Sequence, residues 1–529
     1  MKKRVFAVFQ GGGARGIAHV GAISVLEDSR IELSGVGGTS AGAIVAALKS
    51  AGYSAKEMFD CESHEHIISL IDVNGGAAGG PKDLFGGGGW VAVMAAKWFY
   101  ANLDSLAFAW VLCFFSLPFY AHVHFAFFCL FLVFLIATAA FAIWVIRGVS
   151  SLDGFVDALD QLLVRKVSND NDSRVTFKDM ADAGCLPLRI VATNVSDKCE
   201  GVFSADRTPN VAVAEAVAAS ACLPFVFRAR LIDGKSYFDG GLVSNLPAWV
   251  FDEERALDPD AATVAVEIGA QVSEKPTDQK VSGFAALKSA LGTALSGAEA
   301  LEKRAVSNLV TIELDPKVGL LDFDMSPVRA SSEVQNGENE AKLGLLSKIV
   351  TIPSQMDQVC ELVAAEALRI INSCRARKEL DELQIAPRVA FLRPPLGTSR
   401  SLEIKYSSGF QGFSDHGIVL PTENSFVGEA WNEKLGLFID REDPDWNSTL
   451  DRASDQALRN RIKDSLEWIV AVYFNHQQVE QNAFVLALDG QESLCLEEDD
   501  YRGLLMELTV ELQDLMDELV PLEVFQDGY

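Results

Sequence analysis

The stretch Leu33-Ser34-Gly35-Val36-Gly37-Gly38-Thr39-Ser40-Ala41-Gly42-Ala43-Ile44-Val45-Ala46-Ala47-Leu48 joins a short apolar run to an apolar helix through one serine. Its centre, Gly38-Thr39-Ser40-Ala41-Gly42, is a G-x-S-x-G pentapeptide. The spacing predicts a strand over Leu33–Val36, a sharp turn at Ser40 and a helix over Ala43–Leu48. That is the setting of a nucleophile elbow, in which the serine occupies a strained turn and Gly38 and Gly42 remove side chains that would clash. The start of the following helix favours developing negative charge. Taken alone, the pentapeptide also reads as an ordinary glycine turn.

Upstream, Val5–Phe9 reads as a first strand rather than as the apolar part of a signal peptide, because it is short and runs into glycines. It is followed by Gly11-Gly12-Gly13-Ala14-Arg15-Gly16. Consecutive glycines let backbone N–H groups converge on an oxyanion. The same glycines also satisfy G-x-G-x-x-G, a dinucleotide-binding fingerprint, and the loop by itself does not separate the two readings. Downstream, Tyr237-Phe238-Asp239-Gly240-Gly241 precedes Asn245-Leu246-Pro247. An aspartate ahead of two glycines is sterically open to another backbone, or is simply a turn.

Together the three elements resemble the patatin-like phospholipase family, whose signature is G-G-G-x-R-G, then G-x-S-x-G, then D-G-G, in this order. The fragments ATNVSDKCEGVFS, ASACLPFVF and LDFDMSP fit as well. The resemblance covers residues 4–330 apart from an internal insertion, and it decides against a dinucleotide site. It implies a Ser40–Asp239 dyad with no histidine. Ser40 would be the nucleophile and Asp239 the general base, then acid. Gly11, Gly12 and Gly13 would be the oxyanion donors. Arg15, Gly16, Gly38, Gly42, Gly240 and Gly241 would support them. No cofactor and no metal are implied. His19 reads as a packed or capping residue, and His64 and His66, beside Glu65, as the solvated face of a helix.

The insertion is the strongest composition signal in the chain. From Ser105 to Ile146 there is no charged residue, roughly twice the ~20 residues that one membrane span needs. Pro118, His122 and His124 divide the run into two helical legs, near 105–121 and 125–146. At ~1.5 Å rise per residue these are about 26 and 33 Å long. Lys82 and Lys97 precede the run, and Arg147, Arg165 and Lys166 follow it. Both flanks are therefore expected on the cytoplasmic side. A buried hairpin or an oligomer interface would have the same composition. The glycine-rich stretch 75–89 before it reads as a hinge.

The remaining composition bounds the function. The chain has 529 residues and 49% hydrophobic residues, enough for two or more cores. With 45 Lys+Arg against 73 Asp+Glu, a formal charge of -28 argues against nucleic acid as a partner. Contact with a bilayer would then rest on apolar burial. Nine singly spaced cysteines without a C-x-x-C pair point to a reduced compartment.

Residues 385–525 read as strands at Arg388–Pro395, Ser401–Phe410, within Ser425–Asp440, Leu466–Phe474 and Asn482–Gly490. A closing helix carries Leu504, Leu505, Leu508, Leu512, Leu515, Met516 and Leu519 on one face. This order, with VGEAW and VLALDG, resembles GAF domains, which are small-molecule-sensing or dimerising modules.

The expected architecture is a patatin-like three-layer α/β/α hydrolase over residues 1–330, interrupted by an apolar hairpin insertion over 91–150. A linker over 331–355 and a smaller α+β, GAF-like domain over 356–529 follow. The expected function is hydrolysis of fatty-acyl esters of phospholipids by a membrane-associated enzyme facing the cytoplasm. It would be a homo-oligomer with a small-molecule regulator at the C-terminal domain. A catalytically silent membrane scaffold and an esterase for non-phospholipid substrates are the alternatives.

Overall fold

A computed structural model describes residues 3–526 apart from several stretches, chiefly 84–88, 103–109, 117–124, 168–173, 270–301, 396–399 and 448–454. The chain divides into two units, Met1–Leu346 and Ser347–Tyr529.

The N-terminal unit is built on an eight-stranded sheet. Its strands are β1 (Lys3–Phe9), β2 (Ile31–Thr39), β3 (Leu188–Asn194), β4 (Cys199–Phe203), β5 (Arg230–Ile232), β6 (Lys235–Phe238), β7 (Ala262–Ile268) and β8 (Leu309–Leu314). Their order is β8-β7-β1-β2-β3-β6-β5, with β4 also paired to β3. The five strands from β8 to β3 run parallel, while β4, β5 and β6 are antiparallel to their neighbours. The parallel strands are apolar almost throughout: Val5, Ala7, Val8, Phe9, Val264, Ala265 and Val266 are fully buried. Such continuous apolar runs mark strands covered on both faces.

Among the helices of this unit are α1 (Ala18–Leu26), α2 (Ala41–Ser50), α3 (Phe125–Ile146), α4 (Val213–Ser220) and α5 (Pro327–Ala341). Helices α1 and α5 touch backbone to backbone. A Cβ on Gly21 would stand 2.2 Å from the Val334 carbonyl oxygen, and one on Gly337 2.4 Å from that of Ala18. The expected linker over 331–355 is therefore helical. Its first half is the part of α5 that buries Val334 and Ala341, and a π-helical stretch over Lys342–Thr351 follows. The apolar positions of α5 lie under α1, which gives this segment a partner that its own polar composition did not announce.

Of the apolar insertion, the second leg is α3, a continuous helix of 22 residues. Phe128–Val145 has none of its length buried. The first leg is described over Trp110–Leu112 and Phe114–Ser116, which are helical; the expected turn at His122–His124 lies outside the described residues. The legs meet in antiparallel register. The Trp110 ring lies 6.1 Å from Phe134 and the Phe114 ring 6.0 Å from Phe131.

The C-terminal unit has one antiparallel sheet of six strands: β9 (Arg388–Arg393), β10 (Ser401–Ser408), β11 (Val419–Pro421), β12 (Gly436–Asp440), β13 (Trp468–Asn475) and β14 (Ala483–Gly490). Their order is β11-β10-β9-β14-β13-β12. Helices α6 (Ile352–Ala376) and α7 (Glu498–Leu519) share a core with this sheet through Met356, Val363, Ile371, Leu504, Leu508, Leu512 and Met516. A second core gathers Leu392, Leu402, Val427 and Ala430.

Candidate active site

Ser40 stands at the end of β2, directly before α2, with φ 53 and ψ −119. This left-handed backbone costs a non-glycine residue ~1–3 kcal/mol and persists only where its surroundings fix it. Here the surroundings are tight. A Cβ on Gly42 would lie 2.1 Å from the Phe9 carbonyl oxygen, and one on Gly38 2.5 Å from the Gly42 carbonyl carbon. The elbow can sit against β1 only because both positions are glycine. The Ser40 N–H donates to Ser220 Oγ at 2.8 Å, and that hydroxyl donates to the Val191 carbonyl at 2.5 Å. Thr39 Oγ1 donates to the Ser244 carbonyl at 2.9 Å.

Asp239 is held from three sides. Its N–H donates to the Cys222 carbonyl at 2.9 Å. Its carbonyl accepts Thr193 Oγ1 at 2.7 Å, and its Oδ1 accepts the Gly241 N–H at 2.8 Å. Gly240 lets this loop lie on β3, since a Cβ there would meet the Val191 carbonyl oxygen at 2.3 Å. The remaining oxygen, Oδ2, is buried and has no hydrogen-bond partner among the described residues. The Ser40 hydroxyl is near enough to favour the charged carboxylate, although the resting geometry falls short of a full hydrogen bond. Burial dominates and pushes the Asp239 carboxyl from 3.8 up to about 6, against the Gly241 and Ser40 contacts that pull it down. A carboxylate poised near neutral pH, beside a hydroxyl, is suited to general-base work.

The glycine loop lies against both groups. A Cβ on Gly11 would stand 3.2 Å from Ser40 Cβ and 2.5 Å from Asn245 Oδ1. One expectation is corrected here: the Gly11 N–H donates to the Asn245 carbonyl at 3.0 Å. Gly11 therefore ties the loop to the Asp239 side and does not offer its N–H to an oxyanion. Of the three expected donors, Gly12 and Gly13 are left as candidates. Gly13 has φ +55 and leaves no room for a Cβ, which would be 2.4 Å from the Leu320 carbonyl oxygen. That carbonyl accepts the Ala14 N–H at 2.9 Å. Arg15 Nη1 donates to the Gly269 carbonyl at 3.4 Å. A Cβ on Gly16 would come within 2.6 Å of Ala41 Cβ, so the loop and the elbow helix are in contact.

His19, His64 and His66 make other contacts. His19 is fully buried, with Nε2 2.9 Å from the Gln10 carbonyl and its ring against Phe9. Burial lowers it to about 4, so it is neutral near pH 7. His64 and His66 are not on a helix, contrary to expectation. They form the turn and second strand of a small hairpin, Phe59–Asp60 with Glu65–His66, in which the His66 ring packs edge-on to Phe59. The apolar contact with Phe59 outweighs the local polarity. No cluster of three or more metal-ligating side chains occurs among the described residues.

Residues 7–62 and 86–252 match the model of the patatin-like phospholipase family. Over these residues the N-terminal unit is similar to patatin-like phospholipases. On this match the chain is a lipid acyl hydrolase. The Bacillus subtilis (strain 168) protein YqhO, itself uncharacterized, is 23% identical over 350 residues, 64% of this chain and 97% of its own length. Lysophospholipase NTE1 of Coccidioides immitis (strain RS) is 52% identical over 46 residues, which is 9% of this chain and 3% of that relative. Among solved structures, VipD from Legionella pneumophila is similar at 16% identity and a TM-score of 0.34, over 72% of this chain and 79% of its own.

Several residues of this unit were given no individual role by their sequence context. Ser220 fixes the Ser40 amide, Cys222 and Thr193 fix the Asp239 backbone, and Asn245 lies between Gly11 and Gly241. Ser220 and Cys222 fall in the ASACLP fragment and Asn245 in the NLP tripeptide. The fragments were visible, but the contacts that give them a role span long sequence separations.

Proposed function

We propose that this chain is a membrane-associated serine hydrolase that cleaves fatty-acyl esters of phospholipids through a Ser40–Asp239 dyad. The observation that carries the reading is the unpartnered, buried Oδ2 of Asp239 beside a serine held at φ 53. Asp239 takes the Ser40 Oγ proton as Oγ bonds to the ester carbonyl carbon. The N–H groups of Gly12 and Gly13 hold the resulting oxyanion. As the carbonyl re-forms, the C–O bond to the lipid alcohol breaks and Asp239 returns the proton to that alcohol. Water then attacks the acyl-serine with Asp239 again as base. The fatty acid leaves and Ser40 recovers its proton.

The apolar insertion supports the membrane part of this reading. An uncharged helix of 22 residues spans ~33 Å, enough for a hydrocarbon core. The basic residues on both flanks favour a cytoplasmic catalytic domain. For the C-terminal unit we propose a GAF-like regulatory role, binding a small molecule or a second copy of the chain. In an assay with a p-nitrophenyl ester and with phospholipid vesicles, Ser40→Ala and Asp239→Asn should each remove nearly all turnover of both substrates. Robust turnover by purified Ser40→Ala protein would rule out the dyad.

A further inference from the structure

The apolar insertion leaves and rejoins the domain at the loops that hold the catalytic groups. On its N-terminal side, Lys97 Nζ pairs with Asp322 Oδ1 at 2.9 Å and with Asp324 Oδ1 at 2.6 Å. Asp322 Oδ2 accepts the Gly319 N–H at 2.7 Å. The next residue, Leu320, presses its carbonyl against Gly13 and accepts the Ala14 N–H. The oxyanion loop is thus three contacts from Lys97.

On the C-terminal side, the Val149 and Ser150 N–H groups both donate to the Val226 carbonyl at 3.0 Å, and the Arg228 N–H donates to the Ser150 carbonyl at 2.8 Å. Gly148, at φ +83, has room only for hydrogen there, because a Cβ would be 2.4 Å from the Phe227 carbonyl oxygen. The same 222–228 segment supplies the Cys222 carbonyl that holds the Asp239 amide, and Cys222 Sγ closes it by a 3.0 Å contact to the Arg228 carbonyl.

Each of these loops carries a large apolar side chain that the domain leaves in solvent. Phe225 is 58% exposed and sits at φ 71, unusual for an aromatic residue. Leu320 is 43% exposed, and Leu242, directly after Asp239-Gly240-Gly241, is 46% exposed. Single exposed apolar residues need no explanation. Here three of them stand on the three loops that fix Ser40's partners, and two of those loops are the attachment points of the uncharged insertion.

We propose that Phe225, Leu242 and Leu320 form a bilayer-contacting rim around the mouth of the active site. With the insertion in a membrane, its two attachment loops lie at the lipid surface. The rim then sits among the first acyl methylenes, and a lipid ester passes to Ser40 without crossing water. This rests on the membrane reading given above. The occupant is lipid rather than a protein partner because the rim is continuous with a helix whose exposed surface is uncharged over Phe128–Val145.

The test uses full-length protein with phosphatidylcholine vesicles and a soluble short-chain p-nitrophenyl ester. Asparagine tolerates the left-handed backbone of Phe225, so Phe225→Asn is compared with Leu242→Gln, their double variant and the conservative Phe225→Trp. All should float with vesicles through the intact insertion. The ratio of vesicle to soluble-ester turnover should fall at least about fivefold in each polar variant, because the rim loses its apolar contact, and further in the double. Phe225→Trp should keep the wild-type ratio. Flotation with an unchanged ratio, or equal loss of both activities in the polar variants, would overturn the rim alone. Failure of the wild-type protein to float would instead overturn the anchor reading and the rim with it.

Discussion

Replacing Asp239 by asparagine should abolish turnover and, at neutral pH, make the chain more stable. The carboxyl titrates near 3.8 in an unfolded chain and at about 6 in the folded domain, because burial penalises its charge. The folded state therefore holds the proton more tightly. The stability this contributes is complete below about pH 3.8 and is lost as pH rises through about 6. About two pKa units, at ~1.36 kcal/mol each, correspond to a cost of about 3 kcal/mol at pH 7. Asparagine keeps the shape and cannot ionise, so the variant escapes that cost. The stability gap between variant and wild type should open between about pH 4 and pH 6 and stay flat above. The new Nδ2 group adds a term independent of pH, which cancels when the gap at one pH is compared with that at another. Urea denaturation of both full-length proteins at intervals from about pH 4.5 to pH 7.5 measures the gap. A gap that stays constant across this range would mean that Asp239 is not desolvated, and the reason for making it the base would go with it.

Four further outcomes are expected. The kcat/KM of wild type for a soluble ester should rise with pH through about 6, as Asp239 loses its proton, and a pH–rate profile with no inflection there would contradict its role. Gly42→Ala should destabilise the domain by ~1–3 kcal/mol or prevent folding, since its Cβ would meet the Phe9 carbonyl oxygen at 2.1 Å. Gly503→Ala in α7, with nothing within 4 Å, should instead stabilise its unit by up to ~1 kcal/mol of helix propensity, read as a higher melting temperature. Deleting residues 105–146 should release the protein from vesicles in a flotation assay while leaving soluble-ester turnover within a few-fold of wild type.

Local features of the chain were legible because their causes are local. Gly38, Ser40 and Gly42 name the elbow, since a strained turn between a strand and a helix tolerates few residue types. The absence of charge from Ser105 to Ile146 is equally plain from composition. The apolar runs of β13 and β14 and the leucine face of α7 announced the second sheet and its covering helix. Other features depend on who meets whom. The segment 331–355 is polar enough to read as a linker, and it is helical because Gly337 faces Gly21 across more than 300 residues of chain. The Gly11 amide looked like an oxyanion donor until the fold set the Asn245 carbonyl against it. The pKa of Asp239 has no local cause at all: the sequence supplies an aspartate before two glycines, and burial between β2 and β3 moves it toward neutrality. Sequence by itself determined which groups could do chemistry, because backbone strain and side-chain type are written residue by residue. Tertiary structure alone decided which amides stay free and which carboxylate oxygen stays unpartnered, because hydrogen bonding and desolvation are set by neighbours distant in the chain.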